Sequence, residues 1–252
     1  FIQMLHGAKK KDILQLLRKA PRDMVPFFVE AAVAAQSVAS LAALSSFLDF
    51  GKTPRSLLEK FLYAVAFSPR PSKELLSLVL DKLRGKRLAP EVRETGIVVI
   101  GSLVSKLCRQ KLCGSQEVER GVETILQGLG SAKEESEVVL YLMSLRNAVL
   151  PETIPTLLRY TEEGPAAVTA AAVAALQRFP SQHISSEVKR AMRRIFHEKK
   201  KSYEKTCRLA AAEVLLDHEP LPMDVINILL ATKEMETEMA TLLWLKVQNS
   251  LH

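Results

Sequence analysis

Two cysteines five residues apart, Cys108 and Cys113 in "SLVSKLCRQKLCGSQ", are the side chains here whose type and spacing are best suited to chemistry. They could form a redox pair, half of a zinc site, a staple across a helix end, or two buried thiols. A redox pair would need the Cys-x-x-Cys spacing, and a zinc site would need two more ligands at matching spacing, which the sequence lacks. The choice between a disulfide and free thiols stays open, because it depends on the compartment.

Three further strings imitate binding or catalytic motifs, and each is incomplete. "DFGKTPRS" ends like a phosphate-binding loop at residues 51–53, but Ser46 stands where the upstream glycine belongs. "GLGSAK", from Gly128, lacks the third glycine of a dinucleotide fingerprint. In "HEKKK", Lys201 replaces the second histidine of the zinc motif that would begin at His197. We therefore expect no enzymatic activity, no cofactor and no metal.

Arg178, in "VAALQRF", is the candidate for a buried structural charge. The helix that follows Pro165 should bury small and apolar residues at spacings of three and four, and Arg178 lies on the edge of that stripe. The alternative is a surface arginine whose aliphatic stem covers apolar neighbours. If Arg178 is buried, it needs a carboxylate partner, and Glu204, Glu213 and Glu162 are the candidates.

The third cysteine, Cys207, lies in "KTCRLAAAEVLL" on the side of the predicted helix that the alanines also occupy. Cysteine behaves as a small apolar residue when it is buried. We predict a buried, inert thiol.

The charge balance argues against a nucleic-acid partner. The chain has 35 Lys and Arg against 28 Asp and Glu, a formal charge of +7, and the two signs are mixed throughout. Aromatic residues make up 6%, too few for the stacking platforms of single-strand binders. No apolar run approaches the ~20 residues of a membrane span. Because the sequence opens on Phe1, we expect a fragment of a longer chain.

The elements that must position these residues are helices. Prolines mark helix starts, and segments of about 12 to 20 residues lie between them, the usual helix length. "TPRSLLEKFLYAVAF" should be capped at Thr53, and "PSKELLSLVLDKLRG" should open at Pro71 or Ser72. "TGIVVIGSLV" is the best strand candidate, but it lies within one long helical register and is predicted to be a buried helix. We expect a dozen or more helices.

A weak internal repeat indicates how the helices pack. "VTAAAVAAL" at Val168 and "CRLAAAEVL" at Cys207 lie 39 residues apart, and "VRETGIVVI" at Val92 precedes the first by 76, two steps of 38. Helical pairs of the HEAT and armadillo type repeat at about 40 to 47 residues. The sequence predicts an all-α fold, a two-layered right-handed α-α superhelix that forms one domain over residues 1–252.

Several strings resemble the helical domain of the large lipid transfer proteins. They are "RETGIVVIGSLVSKLC", "SLRNAVLPETIPTLLRYTEEG", "HEKKKSYEKTCRLAAAEVLL" and "MDVINILLATKEMETEM", and "LPETIPTLLRY" and "ALQRF" are the most specific segments. The family includes vitellogenin, apolipoprotein B and the microsomal triglyceride transfer proteins, and similarity to this last branch is greatest. The resemblance runs through nearly the whole chain.

The resemblance implies a helical arc around lipid-binding β-sheets that are not in this chain. It implies a scaffold and protein-interaction domain in the endoplasmic reticulum lumen, of a protein that loads triglyceride, cholesteryl ester and phospholipid onto nascent apolipoprotein B. Protein disulfide isomerase and apolipoprotein B are the implied partners, with at most peripheral membrane contact. The alternatives are an armadillo-type adaptor solenoid and the equivalent domain of a vitellogenin-like lipoprotein.

The resemblance also implies that Cys108 and Cys113 are joined, because the family carries a disulfide at this place. In an oxidising lumen such a pair would act as a local clamp at a helix end.

Overall fold

The computed structural model describes residues 2–85 and 87–250, and within these ranges it contains helices and no β-strand. Contacts group the chain into two compact units, Phe1–Ser131 and Ala132–His252. The helices of the first unit are Ile2–Gly7 (α1), Lys10–Lys19 (α2), Val25–Ala35 (α3), Val38–Phe47 (α4), Arg55–Phe67 (α5), Lys73–Leu83 (α6), Pro90–Arg109 (α7) and Gln116–Ser131 (α8).

The second unit contributes seven α-helices and three short 3-10 turns within the described ranges. The helices are Glu135–Ala148 (α9), Ile154–Glu163 (α10), Ala166–Gln177 (α11), Ser186–Phe196 (α12), Lys205–Asp217 (α13), Pro222–Ala231 (α14) and Thr237–Ser250 (α15). None of the described helices combines the length and the hydropathy that a membrane span requires.

Short polar side chains and prolines define where the helices start. Ser72 accepts a hydrogen bond from the Leu75 amide at 3.1 Å and so caps α6, as predicted. Proline occupies the first position of α7 and α14, where its missing N–H costs nothing. At α5 the predicted boundary was one residue early, because Pro54 is the residue before the helix rather than its first member.

Helix α7 confirms the prediction that "TGIVVIGSLV" is helical. Nine of its 20 residues are buried, on faces against α5, α6 and α8. Gly121 of α8 lies against this helix, and a Cβ there would be 3.1 Å from Cγ2 of Val104 and 3.6 Å from Cγ2 of Ile100. The glycine therefore lets α8 approach α7 more closely than any other residue would.

Within each unit the helices form two layers. In the first unit α1, α3, α5 and α7 pack in sequence, and α2, α4, α6 and α8 form the second layer. In the second unit α9, α11, α13 and α15 pack in the same manner, with α10, α12 and α14 on the other side. Most of the described helices thus pack on the helix two positions away, and the predicted two-layered arrangement is confirmed within each unit.

The repeat found in the sequence corresponds to this stacking. Helices α11 and α13 begin 39 residues apart and pack against each other. Fully buried alanines, Ala172 and Ala175 on one helix and Ala211 and Ala212 on the other, keep the two backbones close. That residues 1–252 form one domain stays a prediction.

Basic side chains tie the stacked helices at their C-terminal ends. The ammonium of Lys82 in α6 donates to the Leu48 carbonyl at 2.8 Å, at the end of α4. Lys106 of α7 donates to the carbonyls of Ala66 and Ser68 at the end of α5. A positive charge there complements the exposed carbonyls and the negative end of the helix dipole. Burial lowers the pKa of Lys106, and the nearby Arg109 lowers it further.

Candidate functional site

The Cys108 and Cys113 sulfurs are 1.94 Å apart, and their Cα atoms are 4.2 Å apart. Cys108 lies in the last turn of α7 and Cys113 in the turn before α8. Two backbone hydrogen bonds close this turn. The Leu112 amide donates to the Leu107 carbonyl at 3.0 Å, and the Lys111 amide donates to the Cys108 carbonyl at 2.9 Å. This is a Schellman cap. The disulfide therefore clamps a helix end.

Lys111 is the residue of this cap with a left-handed conformation, at φ 64°. Glycine is usual at that position, because a Cβ is strained there. Gly114, the glycine nearest to this cap, has no positive φ. A covalent link across the cap holds Lys111 in a conformation that its side chain disfavours.

Cys207 is a buried free thiol, 2% exposed, in the first turn of α13. Burial raises its pKa to about 11, so the thiol stays protonated and unreactive near neutral pH. The prediction of a buried, inert thiol is confirmed.

Across residues 2–85 and 87–250, no cluster of three His, Cys, Asp or Glu side chains could hold a metal ion.

Arg178 is exposed, which matches the surface alternative, so it is not the buried charge for which it was a candidate. Helix α11 ends at Gln177, and Arg178 follows it as the cap residue with a right-handed helical backbone. Its position on the edge of the buried stripe leaves its side chain in solvent. The neighbouring Gln177 takes up one candidate partner instead, donating to Glu213 at 2.7 Å.

The two other proposed partners of Arg178 are also placed elsewhere. Glu162 accepts from Nε of Arg194 at 3.0 Å and from Lys200 at 3.1 Å. Glu204 is exposed at the residue before α13. No ion pair joins any of these carboxylates to Arg178 in the described part of the chain.

The buried charge of this unit is Asp224, which the sequence reasoning missed. Its side chain is 5% exposed and receives two bonds from Arg193, Nε to Oδ1 at 2.5 Å and Nη2 to Oδ2 at 2.8 Å. The hydrogen bond with Asp224 raises the pKa of Arg193. This bidentate pair joins α12 to α14. The sequence signal that could have indicated this pair is that Asp224 is the single charged residue in "PMDVINILLA".

Lys52 and His197, which belong to the incomplete phosphate-loop and zinc motifs, lie in turns after α4 and α12. Lys52 is 83% exposed and lies 3.9 Å from Asp49 in the turn after α4. His197 follows the last residue of α12, and its pKa is lowered by burial and by the charges of Lys199 and Arg208. His218, which is buried, pairs its Nδ1 with the Ser181 hydroxyl at 3.0 Å.

Two apolar faces of the second unit remain exposed. On α14, Met223, Ile226 and Leu230 form a stripe at spacings of three and four. On α15 the exposed large side chains are Leu242, Trp244 and Leu245. Exposed apolar side chains grouped on one helix are typical of places where other molecules bind. The described part of the second unit therefore offers candidate contact surfaces on α14 and α15.

Comparison with known proteins gives these surfaces a context. The model of the Vitellogenin TPR domain matches residues 1–241. The large subunit of the rat microsomal triglyceride transfer protein is 40% identical over 253 residues, which is 100% of this chain and 28% of the rat protein. The bovine large subunit is 42% identical over 240 residues, 95% of this chain and 27% of its own length. The chain thus spans little more than a quarter of these relatives.

A solved structure of lipovitellin, described as concerning lipid–protein interactions, superposes on 95% of this chain and 26% of its own with a TM-score of 0.76. The sequence identity is 19%, so the likeness concerns the fold. It confirms the all-α fold class that the sequence predicts.

Proposed function

Because the chain belongs to the vitellogenin TPR domain family, we propose that it is the helical scaffold and protein-interaction domain of a lipid transfer protein. The observation that carries the proposal is the match over residues 1–241, together with about 40% identity to triglyceride transfer proteins along the whole chain. The helices position partners, and we assign no catalytic step to them.

The name of the relatives implies triglyceride as a transferred lipid, and the family adds cholesteryl ester and phospholipid. The full-length protein would load triglyceride, cholesteryl ester and phospholipid onto nascent apolipoprotein B. The helical chain would contribute by holding the lipid-binding parts and by contacting apolipoprotein B. Large exposed apolar side chains supply the kind of surface that such protein contacts use.

We place the protein in the endoplasmic reticulum lumen, with protein disulfide isomerase as its second partner. The Cys108–Cys113 disulfide supports an oxidising compartment, because cytosolic thiols are kept reduced. The α15 surface around Trp244 is the proposed contact, since exposed tryptophan is enriched among the residues that dominate binding energy.

Co-purification from a luminal extract tests this function. Full-length protein should carry protein disulfide isomerase with it and should transfer triglyceride between vesicles. Trp244→Ala should reduce the amount of isomerase recovered, whereas Tyr63→Ala, an equally exposed aromatic in the first unit, should not. Recovery without the isomerase, and peptide mapping that finds Cys108 and Cys113 as free thiols, would contradict the luminal assignment.

The second candidate, a vitellogenin-like lipoprotein, is favoured by the family description and by the lipovitellin fold. Such a protein would be purified with stoichiometric stored lipid and would show slow exchange of lipid between vesicles.

The third candidate, an armadillo-type adaptor, would line a groove with asparagines in register. Asn147 lies in α9 and the exposed Asn227 in α14, which belong to different layers, so nothing favours that candidate.

A further inference from the structure

A groove between the C-terminal ends of α12 and α14 combines basic and apolar walls. It encloses about 540 Å³ and is lined by Arg193, Arg194, His197 and Lys199 on one side and by Asn227 and Leu230 on the other. The α12 side is cationic, and the α14 side is apolar or neutral except for Glu234, which follows that helix. A ligand that fills this groove should therefore have an anionic part and an apolar part.

The charges of the groove are only partly compensated. Asp224 neutralises Arg193 and Glu162 pairs with Arg194, whereas exposed Lys199 has no ion pair in the described part of the chain. Besides burial, the charges of Lys199 and Arg208 lower the pKa of His197, which indicates a positive local potential. Glu234 is the one acidic residue among the lining side chains of this groove. An incoming anion would find a cation that no carboxylate already occupies.

Lys199 is held in place by a structured loop. The Lys199 amide donates to the Arg194 carbonyl at 3.0 Å. The preceding residue, Glu198, has a left-handed backbone at φ 50°, and its carboxylate accepts from the Tyr203 amide (2.9 Å) and the Ser202 hydroxyl (3.2 Å). A non-glycine residue in this conformation persists only where its surroundings fix it. The backbone that carries Lys199 is therefore preorganised at the rim of the groove.

The apolar wall continues beyond the groove. From Leu230 the exposed side chains of Ile226 and Met223 follow along α14 toward its N-terminus. Seven residues of helix extend about 10 Å, at 1.5 Å per residue. That length matches a substantial part of an acyl chain or the upper part of a leaflet, so an amphiphile with its head at Lys199 could lay its apolar part on this stripe.

We propose that the α12–α14 groove binds the headgroup phosphate of an anionic phospholipid in a membrane surface, with the stripe of Met223, Ile226 and Leu230 in contact with the acyl region. Charge complementarity selects the anion, and the adjoining stripe selects a lipid over a free anion. The site would hold the protein at a bilayer from which or to which lipid moves. The assignment is independent of the protein contacts on α15.

Flotation of the full-length protein with vesicles tests this site. One set of vesicles is phosphatidylcholine alone, and the other contains one-third phosphatidylserine. We expect binding to the anionic set that weakens as salt is added, because the attraction is screened. Lys199→Gln should weaken this binding about fivefold, the contribution of one basic residue near an anionic surface. Lys52→Gln, the same charge change in the first unit, should leave it unchanged.

A second pair of variants tests the stripe. Ile226→Ser should also weaken vesicle binding severalfold, and Met143→Ser on α9, where Met143 is 44% exposed against 47% for Ile226, should not. Circular dichroism checks that each variant is folded. Equal binding to both vesicle sets, or wild-type binding by Lys199→Gln, would overturn the proposal.

Two soluble probes separate the remaining ligands. If inorganic phosphate binds with a dependence on Lys199 while vesicles do not bind, the groove is a free-anion site and the lipid assignment fails. If polyglutamate binds and vesicles do not, the groove fits an acidic protein segment and the proposal fails as well. Isomerase recovery measured on the same variants should stay at the wild-type level, so loss of vesicle binding is distinguishable from failure of the proposed function.

Discussion

The disulfide across the α7 cap acts locally at the level of single residues. It closes a loop so short that the chain-entropy gain is about 2 kcal/mol. Cys108→Ser should therefore lower the yield of protein through the secretory pathway while leaving the helical content of the purified protein nearly intact. Circular dichroism and secreted yield, measured beside Cys207→Ser, check this. A variant that loses most of its helix would show that the link supports far more than the cap.

The buried pair Arg193–Asp224 should be the costlier interaction to break. Asp224→Ala leaves the guanidinium without its carboxylate at a partly buried place, which should cost roughly 2 to 4 kcal/mol. Lys205→Ala, which breaks an exposed pair with Glu236, should change the free energy of unfolding by less than about 1 kcal/mol. Urea unfolding of the two variants measures the difference. Equal losses of unfolding free energy in the two variants would mean that the burial of Asp224 does not strengthen its ion pair.

Glu162 makes stability depend on pH. Its burial would raise the carboxyl pKa, but the hydrogen bonds from Lys200 and Arg194 outweigh that effect and lower the pKa below the ordinary 4.5. A depressed folded-state pKa adds stability above the unfolded pKa and loses it as the pH falls through the folded value. Glu162→Gln should therefore be less stable than wild type at pH 7, and the gap should narrow as the pH falls below 4.5 and through the lowered folded-state pKa. A gap that is constant with pH would contradict this.

At the level of elements, the contact of α7 with α8 depends on Gly121. Gly121→Leu would force a side chain into a site where even a Cβ meets Val104, and overpacking of this kind costs about 1 to 3 kcal/mol. Gly130→Leu in the same helix enters open space and should be neutral or slightly stabilising. Melting temperatures of both variants test this contrast. If the two melting temperatures change by the same amount, helix propensity rather than packing decides the effect of replacing a glycine in α8.

The helices themselves could be read from the sequence, whereas their polar pairing could not. Periodicity placed α7, and alanine spacing placed α11 and α13 at their 39-residue interval, because both patterns are local. The burial of Arg178 could not be decided from the sequence, because it lies on the edge of the apolar stripe and spacing alone does not fix which way an edge residue faces. The partnership of Arg193 with Asp224 spans 31 residues and depends on how α12 and α14 are juxtaposed, which no spacing rule encodes.

At the scale of the whole molecule, the larger cavities described within residues 2–85 and 87–250 are open clefts. The cavities of 330 to 540 Å³ found in the described ranges include the basic groove of the second unit and open clefts. We therefore expect residues 1–252 alone to transfer no triglyceride between vesicles. The measurement is a fluorescent triglyceride assay with full-length protein as the positive control. Transfer by the isolated chain at a comparable rate would show that the helices themselves carry neutral lipid.

The clamp at the end of α7 also bears on what a reducing agent would do to the turn. Glycine is usual at the left-handed position of such a cap, since other residues strain it. A lysine occupies it here, at φ 64°, beside the covalent link. Gln36 and Val149 have the same handedness at the ends of α3 and α9, where there is no disulfide. The link therefore reinforces the α7 cap rather than creating it, and reduction should loosen this turn without unwinding the helix.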